Sequence, residues 1–179
     1  LENRLLLDKI NWADGTIEIE GKTYTLRDTN FPTVDPNNPY EFTDEEREVM
    51  SSLEASILNS EKLQADIRFL YSHGALYKKV NGNLLYHGCI PMTEDGEFEA
   101  VEFNGESFKG KALMDYLDSE VRKAYFSPNE SDESGRRGDL MWYLWLGGNS
   151  PLFGKEKMTT FERLFIADKS SHKEPVRPY

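Results

Sequence analysis

The hydrophobic pattern of the chain changes its period several times, and this limits the fold to a mixture of sheets and helices. Apolar residues alternate over residues 9–28, with turn residues between them, which predicts a small antiparallel meander. Further along, apolar residues recur every three to four positions, which predicts helices. The order is β, α, β, α, and no repeat is present. The sequence therefore predicts an α+β fold rather than a helical bundle.

The first predicted helix has the clearest start. Thr43 is followed three residues later by Glu46, which is a capping box: the hydroxyl and the carboxylate satisfy each other's free backbone N–H groups. In the next predicted helix, Leu63, Ile67 and Leu70 are spaced for a buried stripe. The predicted helices cover residues 43–58, 60–74, 111–126, 138–146 and 156–168, and further hairpins are predicted at 75–87 and 96–105.

Charge and composition exclude several kinds of partner. The net charge is −11 and the pI is near 4.8, whereas a nucleic acid or an acidic membrane surface needs a basic face. No apolar run approaches the roughly 18 residues that a membrane span requires. Cys89 is the only cysteine, so no disulfide can form within the chain, and a reducing cytoplasm is the expected location.

The stretch LLYHGCIPM, residues 84–92, contains the most informative histidine. The apolar run before His87 predicts a strand that lies deeper in a sheet than its hairpin partner. A histidine at the end of a buried strand, followed by Gly88 where the backbone turns, is a common way to aim an imidazole at a metal. A hydrogen-bonded core histidine is the competing interpretation, and the residues alone leave both open. Cys89 is predicted to be a core residue.

Other candidate sites are weaker. GNSPLFGK, residues 148–155, imitates a phosphate loop, but it has one residue too many between its glycines, and Glu156 replaces the Ser or Thr that would bind magnesium. The aromatic stretch at 141–146 is predicted to be core rather than a stacking platform. In this acidic chain the best candidates to hold a phosphate are basic residues, because Arg and Lys form strong charge-assisted bonds. These candidates are Arg136, Arg137, Lys155 and Lys157.

Two long strings resemble a known family. FLYSHGALYKKVNGNLLYHGCIPM at residues 69–92 and DLMWYLWLGGNSPLFGKEKMTTFERLF at residues 139–165 closely resemble class III fructose-1,6-bisphosphatase, a bacterial type with the calcineurin-like metallophosphoesterase fold. Shorter matches extend the resemblance through essentially the whole chain. The resemblance implies a piece of a metal-dependent phosphatase α/β/β/α sandwich, with added hairpins and helices.

The resemblance also implies an activity. It is the hydrolysis of the 1-phosphate of fructose 1,6-bisphosphate in gluconeogenesis, at a dimetal centre of the manganese type. Two metals roughly 3.5 to 4 Å apart polarise a phosphate and supply the attacking hydroxide. In metallophosphoesterases one metal ligand comes from a His-Gly pair at a strand end, and His87-Gly88 is the matching position.

The family's other motifs are missing from this sequence. Gly148-Asn149 is followed by Ser150 rather than by histidine, and Gly138-Asp139 lacks the second Asp and the Arg-Gly of the family's turn. The resemblance therefore implies that residues 1–179 are a single interior segment that contains one metal ligand, no catalytic residue, and no activity by itself. Two alternatives stay open: a calcineurin-like phosphoesterase with another substrate, and a non-catalytic binding or scaffold domain.

Overall fold

The computed structural model describes residues 4–127 and 136–173, with only the backbone at residues 136 and 137. The chain divides into two compact units: one comprises residues 4–65 and 158–173, and the other comprises residues 66–127 and 136–157. Small sheets and helices alternate along the sequence, so the predicted mixture of α and β structure is confirmed. Within the described ranges, no helix has the length and apolar character needed to cross a bilayer.

The first unit is built on the predicted meander. A short 3-10 helix, Leu7–Lys9, leads into the antiparallel strands β1 (Ile10–Asn11), β2 (Thr16–Ile19) and β3 (Lys22–Thr25). Ile17 and Ile19 of β2 point to one face, as the two-residue period of a strand requires, and both are buried. The core formed on that face consists of Leu6, Ile10, Ile17, Ile19, Leu26 and Ile166.

Helix α5 (Thr160–Phe165) closes this core and carries a buried charge. Glu162 is 1% exposed, and its Oε1 accepts a hydrogen bond from Arg4 Nη2 at 2.5 Å. A buried carboxylate costs several kcal/mol in lost hydration unless it is paired, so α5 can pack here only because Arg4 pairs with Glu162.

The helix predicted at residues 156–168 is only partly confirmed. The observed helix α5 is only six residues long, and the 3-10 helix Lys169–His172 follows it.

Helices α1 (Asp44–Leu58) and α2 (Glu61–His73) form where the sequence predicts them. The capping box is confirmed: Glu46 N donates to Thr43 Oγ1 at 3.2 Å, and Thr43 N donates to Glu46 Oε2 at 2.9 Å. The buried stripe predicted for α2 is wrong, because Leu70 is 62% exposed and neither helix contains a buried residue. An amphipathic pattern shows that a helix has an apolar face but does not identify what covers that face.

The second unit contains two hairpins and two helices. The hairpin of β4 (Tyr77–Val80) and β5 (Asn83–Tyr86) lies where it was predicted. The hairpin predicted at 96–105 is instead formed by β6 (Ala100–Phe103) and β7 (Glu106–Lys109), so its turn is at Asn104-Gly105. Helix α3 (Gly110–Phe126) follows β7 directly, and α4 (Arg136–Leu146) begins two residues earlier than predicted.

The core of the second unit lies between α3 and α4. Leu113 and Leu117 of α3 are fully buried, and they pack with Val121, Leu140 and Leu144. The prediction that the aromatic stretch 141–146 is core holds for Leu144 but is wrong for Trp142 and Trp145, which are 57% and 66% exposed. The helical period explains the division, because positions 140 and 144 share one face and the two tryptophans do not.

We expect the stability of the first unit to depend on Asp168. Its carboxylate accepts a hydrogen bond from Ser170 N at 2.8 Å and forms an ion pair with Lys22 Nζ at 3.3 Å. The hydrogen bond from Ser170 N contributes most to lowering the pKa of Asp168 from 3.8 to about 2. A lowered folded-state pKa stabilises the fold above the unfolded value and loses that effect as the pH falls through the folded value. Asp168→Asn should therefore lower the denaturant midpoint strongly at pH 7 and much less near pH 2.

Lys22→Met provides the matched control, since it removes the ion pair and leaves the bond to Ser170 N in place. It should lower the midpoint less than Asp168→Asn does. A difference between wild type and Asp168→Asn that is as large near pH 2 as at pH 7 would contradict this assignment.

Candidate functional site

His87 follows strand β5 directly and stands at an exposed turn. The strand before it is exposed along its whole length, so the prediction that β5 lies deep in a sheet is wrong. Among the described residues β4 and β5 form a sheet of two strands with no further neighbour. The imidazole is also exposed, and within the described part of the chain its ring has no hydrogen-bond partner. Within the described part of the chain His87 is therefore not packed in a core, and its role as a metal ligand stays a prediction.

The backbone after His87 is held by a distant loop, residues 147–154. Gly88 N and Cys89 N both donate to the Pro151 carbonyl oxygen, at 3.1 and 2.9 Å. Cys89 is 3% exposed, which confirms it as a core residue, and its Sγ donates to Ser150 O at 3.5 Å. The His87 turn is thus fixed by main-chain hydrogen bonds, while its side chain stays accessible.

Gly88 is required here for space rather than for its conformational freedom. A Cβ at this position would lie 2.5 Å from the Pro151 carbonyl oxygen and 2.6 Å from that of Leu152. Across the contact, a Cβ on Gly154 would lie 3.2 Å from Gly88 Cα, and Gly154 has a φ of +66°. The backbones of the loop and of the His87 turn therefore lie so close together that residue 88 has no room for a side chain.

Ser150 holds the loop together from the inside. Its side chain is fully buried, and its Oγ donates to Leu144 O in the last turn of α4 at 2.7 Å. The same oxygen accepts hydrogen bonds from Leu152 N and Phe153 N, both at 3.2 Å. One hydroxyl therefore satisfies a carbonyl at the helix end and two amides of the loop, all of which would otherwise be costly to bury.

The start of the hairpin that carries His87 is attached to α3. Tyr77 of β4 donates from its hydroxyl to Asp115 Oδ1 at 2.8 Å, and Leu76 N donates to Asp118 Oδ1 at 3.3 Å. The hydrogen bond from Lys111, and then that from Tyr77, hold the pKa of Asp115 below its ordinary value of 3.8, so this acceptor is ionised at neutral pH. The β4–β5 hairpin is therefore attached to the rest of the second unit at both ends: at its start to α3, and at its end to the loop 147–154.

The basic residues predicted to hold a phosphate divide into two groups. The backbones of Gly154 and Gly88 are in contact. Lys155 is the residue after Gly154, and His87 is the residue before Gly88. Lys155 Nζ lies 6.0 Å from the centre of the Phe153 ring, and both Lys155 and Lys157 are half-buried. The side chains of Arg136 and Arg137 are outside the described residues. The structure thus places the backbone of one predicted lysine next to the His87 turn.

His87 is the residue that the sequence predicts as a metal ligand. A strand-end imidazole that is exposed and has no hydrogen-bond partner in the described part of the chain fits the chemistry of a metal ligand. However, residues 4–127 and 136–173 contain no group of three His, Cys, Asp or Glu that could hold a metal ion. The described residues therefore fit one corner of a metal site, and they do not complete it.

An apolar cavity of about 690 Å³ lies in the second unit between the end of α2, α3 and α4. Its charged residues are Asp118 and Arg122, and these are committed to each other at 2.8 Å. The guanidinium also donates to the carbonyl oxygens of Tyr71 and Gly74. Because its arginine is occupied in this way, the cavity is not suited to a phosphate, and the His87 turn remains the better candidate site.

Ser150 has a structural role that the sequence pattern did not predict. The string GNSPLFGK was compared with a phosphate loop and with the Gly-Asn-His turn of the family, and it matches neither, whereas its residues are those of a tight turn: Gly, Asn, Ser and Pro. Asn149 has a φ of +64°, and its Nδ2 donates to Glu99 Oε1 at 3.0 Å. The turn composition was a usable signal for a compact loop, but it carries no information on which distant segment the loop holds.

Comparison with known proteins identifies the family. The model of the Firmicute fructose-1,6-bisphosphatase family matches residues 1–179. The chain belongs to this family, which is a family of phosphatases, and the resemblance seen in the sequence is confirmed.

Individual relatives are named fructose-1,6-bisphosphatase class 3. Those of Clostridium acetobutylicum and Clostridium tetani are 57% and 55% identical over 179 residues, and that of Alkaliphilus metalliredigens is 55% identical over 181 residues. Each match covers 100% of this chain and 27% of the relative, so the chain spans about a quarter of their length. No solved structure matches the chain.

We expect Gly88→Ala to destabilise the second unit. The added methyl would meet the two carbonyl oxygens at 2.5 and 2.6 Å, and such overpacking costs about 1–3 kcal/mol. Gly138→Ala in α4 is the matched control, since a Cβ there meets no atom within 4 Å and alanine favours a helix by up to about 1 kcal/mol. Denaturant unfolding of both variants measures the difference, and equal midpoints would show that the backbones do not approach in this way.

Proposed function

We propose that this chain is part of a metal-dependent fructose-1,6-bisphosphatase, which hydrolyses the 1-phosphate of fructose 1,6-bisphosphate and so serves gluconeogenesis. The observation that supports this most directly is the identity of 55–57% to class 3 fructose-1,6-bisphosphatases over the whole chain. The exposed, backbone-anchored imidazole of His87 agrees with it. The proposal includes the calcineurin-like α/β/β/α sandwich for the full-length protein and a cytoplasmic location.

Within this proposal His87 is one ligand of a manganese centre. The described residues offer no group that could complete the site, so the other ligands come from elsewhere in the full-length protein. When bound, such a metal supplies positive charge to a phosphate group. His87 contributes an imidazole held at a fixed turn, and this chain by itself is inactive because one ligand does not position a metal.

Lys155 is the best-placed residue to contact the sugar phosphate. Its neighbour Gly154 contacts Gly88, and an ammonium group is a strong donor to a phosphate oxygen. Lys157, Arg136 and Arg137 remain part of the proposal as further phosphate contacts. The substrate is thus a small anion drawn to a local basic group, although the chain as a whole carries a net charge of −11.

Replacing His87 tests the proposal in the full-length protein. His87→Ala should lower kcat for fructose 1,6-bisphosphate by at least about 100-fold, which is typical for loss of a metal ligand or its support. His73→Ala is the control: this histidine ends α2, stacks on Phe69 at 4.5 Å, and should leave turnover near wild type. Near-normal activity of His87→Ala would reject the assignment of His87.

The substrate is tested separately by comparing fructose 1,6-bisphosphate with a phosphoserine peptide. Faster hydrolysis of the sugar bisphosphate supports the proposed function. Faster hydrolysis of the peptide would favour a phosphoesterase with another substrate, and hydrolysis of neither would favour a binding or scaffold role.

A further inference from the structure

We propose that Ser150 is a positioning residue for His87: its buried hydroxyl holds the loop 147–154 in the shape that places the imidazole. The inference rests on the proposed role of His87 as a metal ligand. It adds a residue for which neither the family's name nor the sequence pattern indicated a role.

The first step is that, among the described residues, the His87 turn is held by its backbone and not through the His87 ring. The ring is exposed and has no hydrogen-bond partner among the described residues. The two amides that follow it, Gly88 N and Cys89 N, both donate to one acceptor, the Pro151 carbonyl oxygen. A shift of that oxygen would move the turn and the imidazole together. The position of the Pro151 carbonyl therefore determines the position of the ligand.

The second step is that Ser150 determines the position of that carbonyl. Pro151 cannot donate a backbone hydrogen bond, so it is held through its neighbours. Ser150 Oγ binds Leu152 N and Phe153 N on one side and Leu144 O on the other. Ser150 O additionally accepts from Gly154 N at 3.0 Å and from Cys89 Sγ at 3.5 Å. Ser150 is thus bonded to the end of α4, to the residues that follow Pro151, and to the His87 turn.

The third step is that the hydroxyl of Ser150 bonds to protein groups and not to solvent. The Ser150 side chain is fully buried, so loss of its oxygen removes the hydrogen-bond partner of the buried Leu144 carbonyl and of two part-buried loop amides, Leu152 N and Phe153 N. These groups then have to move to find other partners. Because the His87 turn is in direct contact with the same loop, the movement reaches the imidazole. Groups that orient a metal ligand in this manner change metal affinity by about 10–100-fold when they are lost.

The test measures binding of Mn²⁺ alone to the full-length protein after metal has been removed by chelation. Free Mn²⁺ is followed by electron paramagnetic resonance, so the measurement needs no substrate and no turnover. Ser150→Ala should raise the apparent Kd for Mn²⁺ by about 10–100-fold. Hydrogen exchange at the amides of Gly88 and Cys89 should become faster in the same variant, because the Pro151 carbonyl is no longer held.

Thr159→Val is the matched control. Thr159 is also fully buried, its Oγ1 donates to the His172 carbonyl oxygen at 3.1 Å, and it belongs to the other unit. It should lower the unfolding temperature, as the loss of any buried hydroxyl does, and leave the Kd for Mn²⁺ at the wild-type value. If Thr159→Val and Ser150→Ala change the Kd equally, or if Ser150→Ala leaves it unchanged, the positioning role is rejected.

A second variant keeps the test decisive if Ser150→Ala does not fold. Gly154→Ala retains the hydroxyl and places a methyl 3.2 Å from Gly88 Cα, so it displaces the His87 turn from the opposite side. It should raise the Kd for Mn²⁺ in the same direction, and an unchanged Kd would reject the inference.

His87→Ala separates this inference from the proposed function. If it leaves the Kd for Mn²⁺ unchanged, His87 is not a ligand and the proposed function fails at this point. If it raises the Kd whereas Ser150→Ala and Gly154→Ala do not, only the positioning role fails.

Discussion

The packing of α3 on α4 is the interaction on which the candidate site depends. Leu113 and Leu117 are fully buried against the face of α4 that carries Leu140 and Leu144, and burial of a leucine side chain contributes about 1.5–3 kcal/mol. This contact fixes the last turn of α4. The carbonyl of Leu144 then binds Ser150, and the loop that Ser150 organises binds the His87 turn. An apolar contact between two helices thereby determines where the His87 imidazole lies.

A polar network attaches the other end of the same hairpin. Arg122 of α3 binds Asp118 and the carbonyl oxygens at the end of α2, and Asp118 in turn accepts from Leu76 N just before β4. The carbonyls at a helix end lack partners within the helix, and a guanidinium has enough donors to satisfy several of them. One end of the hairpin is fixed to α3 and the other to the loop that follows α4. An isolated pair of strands is only marginally stable in water, and these two attachments stabilise the hairpin that carries His87.

Local rules predicted much of this fold, and contacts distant in sequence account for what they missed. The capping box at Thr43, helix α3 and the β4–β5 hairpin follow from signals within a few residues, and all three are present. The hairpin after residue 96 was misplaced because Gly96 and Gly105 are both turn signals, and only pairing decides between them. The exposure of α1 and α2 was not predictable, since a helical period does not show whether the covering surface lies in the same chain.

In the candidate site too, nearby residues predict one part of the arrangement, and contacts with residues distant in sequence determine the other part. His87-Gly88 is visible in the sequence as a candidate ligand followed by a glycine, but the reason for the glycine is the loop more than 60 residues later, whose carbonyls leave no room for a Cβ. The order of the turn therefore comes from main-chain hydrogen bonds and close packing, and within the described residues no metal cluster contributes to it. A ligand positioned in advance loses little further entropy when a metal binds, so under the proposed function the apolar core between α3 and α4 would contribute indirectly to metal affinity.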